Sequence, residues 1–303
     1  MLKSYLNNRM NRILVIGKSG QLGKSIHKLI ADTKQAENFI FVGREEIDFC
    51  DKSMIENYFK DNSYDIIINC AAYTGVDKAE EEEEIANQVN HLAVLQLAHI
   101  VKKQRAKFIH ISTDYVFDGR NNNPYKETDK TNPINVYGKT KLKGEKAIQK
   151  ILPYDAIIIR VSWMYSEYGN NFVKTIMRLG KEREEINVVN DQVGSPTYAT
   201  DLADLILKNI KYINTKKNNF LSEIYHFSNE DKVSWYEFAK EIMKIAKLDC
   251  KVNAVSSQYY QTLAKRPNNS TLDTAKIFQK FKFDTLDLRK SLEFCISILK
   301  EKK

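Results

Sequence analysis

The stretch RILVIGKSGQLG, residues 12–23, is the most informative part of the sequence about the fold. Its first five residues form an apolar, β-branched run that is typical of a strand buried on both faces. Gly17, Gly20 and Gly23 follow at once, and an amphipathic stretch over residues 22–31 predicts a helix. A tight turn alone would also need glycines. Because these glycines lie between the first strand and the first helix, we predict that the turn holds a dinucleotide pyrophosphate on N–H groups of the helix N-terminus.

The same order of strand and helix repeats through the first half of the chain. Apolar runs that predict strands lie at residues 39–42, 65–69, 107–112 and 156–161, and helical stretches at 52–60, 80–103 and 136–151. This alternation predicts an α/β fold with a Rossmann-type, doubly wound parallel sheet. The second half mixes helical stretches with short strand candidates, at residues 171–181, 186–189, 200–212, 225–227, 234–246 and 286–299. It predicts a smaller α+β substrate-binding domain.

Composition and charge exclude several classes of protein. The 303 residues are 43% hydrophobic and 28% charged, which is typical of a globular chain. There is no apolar run long enough to cross a bilayer, and the first ten residues lack the apolar core of a signal peptide, so we expect a cytoplasmic protein without a membrane partner. The four cysteines lack metal-site spacing and are expected to be reduced thiols. The net charge of +8 is scattered, with no nucleic-acid-binding motif, so no nucleic-acid partner is predicted.

The end of the second predicted strand indicates which dinucleotide binds. An acid there would bind the ribose 2′-OH of NAD, whereas an arginine accommodates the 2′-phosphate of NADP. The strand ends FVGR, residues 41–44, so Gly43 stands where an acid is expected and Arg44 follows it. We therefore predict that NADPH is preferred, with NADH still possible. The alternative interpretation is that Arg44 is one of many basic residues that face solvent.

These patterns also predict the domain organisation. Residues 10–160 are expected to form an NADP-binding Rossmann domain, to which later segments return. Residues 161–303 are expected to form mainly the substrate-binding domain. Residues 1–9 are interpreted as a loose N-terminal extension, ahead of a second possible start at Met10.

A tyrosine, a lysine and a strand-end hydroxyl downstream suit the reduction of a carbonyl group. Tyr137 and Lys141 share one face of the helix predicted over residues 136–151, and Ser112 and Thr113 end the fourth predicted strand, where the cofactor crevice is expected. A phenol with its ordinary pKa of about 10 is a slow proton donor at neutral pH, and a neighbouring ammonium lowers that pKa. A strand-end hydroxyl polarises the carbonyl oxygen. YxxxK alone occurs by chance, but together with the glycine turn and the strand-end hydroxyls it predicts Tyr137, Lys141 and either Thr113 or Ser112 as catalytic residues.

Eight phrases in this order resemble the dTDP-4-dehydrorhamnose reductase family of extended short-chain dehydrogenases/reductases. They are GKSGQLG at 17–23, NCAAYTGVDKAE at 69–80, STDYVFDG at 112–119, NVYGKTK at 135–141, RVSW at 160–163, GNNF at 169–172, NDQVGSPT at 190–197 and RPNNS at 266–270. The resemblance extends from about Met10 to the C-terminus. It implies NADPH-dependent reduction of the C4 keto group of dTDP-4-dehydro-L-rhamnose to dTDP-L-rhamnose, a nucleotide sugar for cell-surface polysaccharide.

The resemblance also implies a role for each matching residue. Tyr137 would donate the proton, with Lys141 as its partner and Thr113 orienting the carbonyl. The cofactor would contact Gly17, Gly20, Gln21, Leu22 and Gly23 at its pyrophosphate, Asp48 and Phe49 or the nearby Asp51 at its adenine, and Ala72, Tyr73 and Thr74 in the groove after the third strand. Thr113, Asp114 and Trp163 would face the nucleotide sugar, and Arg266 would pair with its diphosphate. A structural core tryptophan is the alternative interpretation of Trp163.

Other functions on the same scaffold stay open. Related dehydratases usually carry two acids after the catalytic threonine, and here Asp114 is followed by Tyr115, which favours a reductase. Another nucleotide-diphosphate 4-keto-sugar reductase or epimerase is an alternative. So is a non-catalytic NADP-binding subunit similar to the β subunit of methionine adenosyltransferase.

A homodimer is possible for such a protein, but no metal site is predicted. Some members of the family hold magnesium between subunits through carboxylates, one of them on the first helix. Residues 17–31 contain no Asp or Glu, and the five histidines show no metal-ligand spacing.

Overall fold

A six-stranded parallel sheet forms the centre of the protein, for which the computed structural model describes residues 12–31, 33, 36–213, 220–260, 262–283 and 287–301. The six strands are β1 (Ile13–Ile16), β2 (Phe39–Val42), β3 (Ile66–Asn69), β4 (Lys107–Thr113), β5 (Ala156–Val161) and β10 (Glu223–Phe227), in the spatial order β10-β5-β4-β3-β1-β2. Every side chain of β1, β3 and β5 is buried, as expected of strands covered on both faces. The prediction of a Rossmann-type α/β fold is confirmed.

Helices cover both faces of this sheet and also build the smaller part of the protein. They are α1 (Gln21–Ile30), α2 (Lys52–Lys60), α3 (Val76–Glu81), α4 (Glu83–Asn87), α5 (Ala93–Gln104), α6 (Val136–Ile151), α7 (Phe172–Glu182), α8 (Ala199–Ile213), α9 (Trp235–Ala246), α10 (Ala275–Phe281) and α11 (Leu288–Glu301). One core lies between the sheet and α1, α8 and α10, and a second between the sheet and α2, α5 and α6. The sheet order reverses at β1 and β3, and the carboxyl ends of strands at such a point form a ligand crevice.

A third core packs the smaller part of the protein. It joins α7, α9 and α11 to a parallel pair made of β7 (Glu185–Val189) and β12 (Lys251–Val255). Four short strands form two further pairs, β6 (Met164–Tyr165) with β9 (Thr197–Tyr198) and β8 (Val193–Gly194) with β11 (Val233–Ser234). The division into domains at residue 160 stays a prediction, and the N-terminal extension lies outside the described residues.

The single helix predicted over residues 80–103 is wrong. The chain forms α3, α4, a π-helical turn at Gln88–Leu92 and then α5. Glu82 separates α3 from α4 with a backbone of φ −116°, ψ 44°, which is not helical. The π turn holds Asn90 where its amide bonds both backbone groups of Tyr73, so tertiary contacts shape this region. Among the described residues, there is no helix long and apolar enough to span a bilayer.

Candidate active site

A cavity of about 930 Å³ lies at the carboxyl ends of the central strands. It is lined by most of the predicted site residues, namely Gly17, Gly20, Gln21, Leu22, Arg44, Asp48, Phe49, Ala72, Tyr73, Thr74, Thr113, Asp114, Tyr137, Lys141 and Trp163. Gly23 and Arg266 do not line it. Residues that are far apart in the sequence therefore line one crevice. Trp235, for example, lies 218 positions after Gly17.

The glycine turn leaves no room for side chains. Gly17 has φ +97°, and a Cβ placed there would lie 2.9 Å from Ala71 N. A Cβ on Gly23 would lie 2.2 Å from the carbonyl oxygen of Gly17, so this glycine allows the helix to start directly beneath the turn. Gly20 precedes α1 in an extended conformation without a side-chain cap. The first N–H groups of α1 therefore have no capping side chain at the cavity, which suits an anionic ligand.

The outer end of the cavity carries the residues predicted for the adenosine. Arg44 is largely exposed, and its Nε lies 3.4 Å from Asp48 Oδ2. Lys18, which the sequence argument did not single out, reaches over Gly43 and pairs with Glu45 and Glu46. Asp51 caps α2 by accepting from the N–H groups of two residues in its first turn, so its carboxylate has a structural role.

Tyr137 and Lys141 lie on the inner face of α6, which begins after Asn135 caps the N–H of Gly138. Lys141 has no exposed surface, and its Nζ donates to the carbonyl oxygen of Ile111 at 2.6 Å. Thr113 is the last residue of β4, and its hydroxyl donates to Asp114 Oδ1 at 2.9 Å. Helix α6 and strand β4 thus bring the predicted catalytic residues to one wall of the cavity.

Burial shifts the proton affinities of these groups. It raises the pKa of Tyr137 to about 12, against a hydrogen bond with Thr113 that lowers it. It lowers the pKa of Lys141 to about 8, although the charge of Glu145 opposes the shift. Burial also raises the pKa of Asp114 to about 7. Desolvation disfavours the charged form in all three cases. Without ligands, each of these three groups is therefore more readily neutral in the site than it would be in water.

Trp163 forms a stacked pair with Trp235 at the edge of the cavity. Their ring centroids are 3.4 Å apart and their planes 6° apart. Trp163 has φ +46°, a left-handed backbone that is strained for a non-glycine residue. Gly194 lies against this ring, and a Cβ there would be 2.4 Å from it. Sequence reasoning missed Trp235, whose only signal was being the second of two tryptophans in the chain.

Two predicted residues make contacts that their motifs did not indicate. The amide of Gln21 binds Met164 O, Ser166 Oγ and Asn171 Nδ2 on the far side of the cavity. Arg266 lines a second cavity of about 990 Å³ and forms two hydrogen bonds to Asp77, the shorter at 2.6 Å. The described residues contain no cluster of three or more groups that could hold a metal ion.

The fold and this site define the protein as a dinucleotide-dependent reductase of the short-chain type. Residues 10–301 match the family model described as RmlD substrate binding domain, and the chain belongs to that family. It is 41% identical to dTDP-4-dehydrorhamnose reductase from Aggregatibacter actinomycetemcomitans, over 94% of this chain and 98% of that protein. It is 40% identical to the enzyme of the same name from Escherichia coli K12, over 89% of this chain and 91% of that protein.

Solved structures agree with these relatives. A dTDP-4-dehydrorhamnose reductase from Clostridium acetobutylicum superposes with a TM-score of 0.88 and 36% identity, covering 95% of this chain and 99% of that one. The dTDP-4-dehydrorhamnose reductase from Bacillus anthracis in complex with NADP superposes with a TM-score of 0.84 and 36% identity, covering 97% and 99%.

Proposed function

We propose that this protein reduces the C4 keto group of dTDP-4-dehydro-L-rhamnose with NADPH, giving dTDP-L-rhamnose for cell-surface polysaccharide. The observation that carries the proposal is the convergence of Tyr137, Lys141 and Thr113 with the glycine turn at one cavity. The relatives and the NADP-bound neighbour support the same reaction and the same cofactor.

The residues at the glycine turn fit a dinucleotide. The close approaches at Gly17 and Gly23 form a cradle that side chains would fill, and the N-terminus of α1 opens into it. Gly20, Gln21 and Leu22 would hold the pyrophosphate through backbone groups, and Ala72, Tyr73 and Thr74 would line the groove beyond β3. Asp48, Phe49 and Arg44 would hold the adenosine, with Arg44 on the 2′-phosphate. NADPH supplies the hydride when it is bound there.

The chain's own residues would manage the proton and the carbonyl oxygen. Tyr137 would donate its phenolic proton to the oxygen at C4, because it lies on the same wall as Thr113. Thr113 would orient that oxygen by a hydrogen bond. Lys141 would then return a proton to Tyr137, since an amine with a pKa of about 8 gains and loses protons near neutral pH.

The far side of the cavity would hold the sugar nucleotide. Asp114 lies next to Thr113 and would bind sugar hydroxyls, while Trp163 offers an aromatic face for the sugar or base. Arg266 would bind the diphosphate from the second cavity. Its bidentate contact with Asp77 offsets part of its charge, so Arg266 would have to share its donors with that carboxylate.

The test is a set of nucleotide 4-keto sugars incubated with the protein and NADPH, with absorbance and product stereochemistry recorded. We expect oxidation of NADPH only when dTDP-4-dehydro-L-rhamnose is present. Tyr137→Phe should lower kcat by at least about 100-fold while NADPH binding is retained, because only the proton donor is lost. Unchanged turnover by this variant would remove Tyr137 from the reaction. Tight NADPH binding without turnover of any keto sugar would favour a regulatory subunit.

The assembly and compartment are also part of this proposal. We expect a cytoplasmic enzyme, because its four cysteines are free thiols and its cofactor is a cytoplasmic reductant. The homodimer stays a prediction that sedimentation equilibrium of the purified protein would test.

A further inference from the structure

A buried histidine lies directly beneath the amine of Lys141. His110 is on β4 and has no exposed surface, and its Nε2 lies 3.4 Å from Lys141 Nζ. On the neighbouring strand β3, Asn69 is its register partner and is also fully buried. Neither His110 nor Asn69 lines the cavity. His110 therefore reaches the cavity through its contact with Lys141, whereas Asn69 also contacts Ala71, which lines the cavity.

The hydrogen bonds of Asn69 determine which imidazole nitrogen carries the proton. The N–H of Ala71 donates to Asn69 Oδ1 at 3.1 Å, so the oxygen of this amide faces Ala71 and its nitrogen faces the ring. Asn69 Nδ2 then donates to His110 Nδ1 at 3.1 Å. A ring nitrogen that accepts a hydrogen bond carries no proton, so the neutral ring of His110 has its proton on Nε2. That N–H is directed at Lys141.

In this tautomer, His110 interacts differently with the ammonium and the neutral amine of Lys141. An ammonium has three donors and no acceptor, so it gains no hydrogen bond from a second donor. A neutral amine can accept from His110 Nε2–H through its lone pair and still donate to the carbonyl of Ile111. Burial and the charge of Lys141 lower the pKa of His110 well below its ordinary value, which keeps the ring neutral. The contact therefore favours the amine over the ammonium.

Of the charged groups near Lys141, Glu145 favours the ammonium, because its charge raises the pKa of Lys141 against the effect of burial. Glu145 lies one turn further along α6, but Arg160 of β5 binds both its oxygens, at 2.9 and 2.7 Å, and Ser112 of β4 donates to it as well. Tyr137 lies one turn back, and its raised pKa makes it neutral in the free protein. On β3, the side chain that contacts His110 is the uncharged amide of Asn69.

We propose that His110, held in one tautomer by Asn69, is a positioning residue that lets Lys141 give up a proton during the reaction. The kinetic part of this inference rests on the proposed function. As Tyr137 loses its proton to the oxygen at C4, the ammonium of Lys141 passes a proton to the phenolate. One N–H bond breaks as the phenol O–H forms again. The resulting amine accepts a hydrogen bond from His110, which stabilises it.

The first test needs no substrate. In protein labelled with ¹⁵N-histidine, the imidazole shifts distinguish the two tautomers and the charged ring, and His110→Gln assigns the signal. We expect His110 as the neutral Nε2–H form at pH 7, with a signal that follows the ionisation of Lys141 and loses this dependence in Lys141→Met. Asn69→Asp should reverse the tautomer, because a carboxylate accepts from Nδ1–H. A charged ring or an Nδ1–H form in the parent protein would overturn the inference.

The second test is the pH profile of kcat for NADPH oxidation. His110→Gln and Asn69→Asp both place an acceptor toward the ammonium, so the pKa of the alkaline limb should rise by about one unit, a tenfold change in proton affinity. Ile158→Val is the matched control, since Ile158 is the buried register partner of His110 on β5 and should change stability alone. Profiles of both variants that superpose on the parent would refute the inference. A parent without any turnover would refute the proposed function and leave the NMR result standing.

Discussion

Burial shifts the pKa of individual side chains that line the cavity. Asp114 is 2% exposed, and burial is the largest cause of its raised pKa of about 7. Thr113 and Ser270 oppose that shift through hydrogen bonds without removing it. A carboxyl group with this pKa can present either a donor or an acceptor to a sugar hydroxyl near neutral pH. The loss of folding stability caused by burying this carboxyl group can be measured separately from its proposed role in binding the sugar.

We predict that Asp114→Asn stabilises the protein in a pH-dependent way. The folded-state pKa is about 7 and the unfolded value is about 3.9, so the folded form binds more protons between them. Stability should therefore fall as the pH rises through this window. The variant should be more stable than the parent by about 4 kcal/mol at pH 8, since each pKa unit is worth about 1.4 kcal/mol, and by nearly nothing at pH 4. Urea unfolding at both pH values measures this, and an equal difference at both would contradict it.

At the adenosine end, we predict that Arg44 confers the cofactor preference. Arg44→Ala should lower kcat/KM for NADPH by about tenfold and leave that for NADH unchanged, because only NADPH offers the 2′-phosphate. Arg178→Ala on α7 is the control, since that arginine is also exposed and paired with an acid four residues away, outside the cavity. An equal loss with both cofactors would show that Arg44 does not distinguish them.

Residue identity and spacing predicted that Tyr137 and Lys141 lie together in the cavity, but not what surrounds them. Tyr137 and Lys141 could be predicted because helical periodicity fixes their common face. The contacts of Gln21 with Ser166 and Asn171 could not, because they join residues 145 and 150 positions apart and no local pattern marks them. The stacking of Trp235 on Trp163 is missed for the same reason.

Among the elements, helix α6 carries both Tyr137 and Lys141 into the cavity. Its start and end at residues 136 and 151 were predicted correctly, because Asn135 caps it and the pattern is continuous. The helix is fixed to the sheet by a buried ion pair between Glu145 and Arg160 of β5, whose side chains are 1% and 3% exposed. Nothing in the spacing of these two residues indicated that contact.

We predict that replacing one partner of this ion pair destabilises the protein more than replacing both partners. Arg160→Met should destabilise the protein by about 3–5 kcal/mol, because it leaves the charge of Glu145 buried without a partner. Glu145→Leu combined with Arg160→Met should recover most of that loss, since two apolar side chains need no partner. Urea unfolding of the three proteins checks this. A double variant as unstable as the single one would mean that the ion pair itself supplies the stability.

Across the whole molecule, the sheet and the longer helices were predictable, but the shortest strands of the smaller region were not. Strands such as β3 and β5 are continuous apolar runs because helices cover both their faces, and such runs are visible in sequence. Strands β6, β8, β9 and β11 contain two residues each, too few for any periodicity. They form by pairing with distant segments, as β8 does with β11.

The amide of Gln21 joins the glycine turn to the segment that carries Trp163, so the two halves of the cavity are coupled through it. We predict that Gln21→Ala raises the KM for the keto sugar by about tenfold and changes the Kd of NADPH by less than about threefold, because the side chain binds residues 164–171 and not the turn. Asn171→Ala removes one of these bonds from the other side, together with the cap of α7, and should also raise the KM for the keto sugar. Steady-state kinetics and NADPH titration measure both constants. A large loss of NADPH affinity with an unchanged KM would instead place the Gln21 side chain on the cofactor.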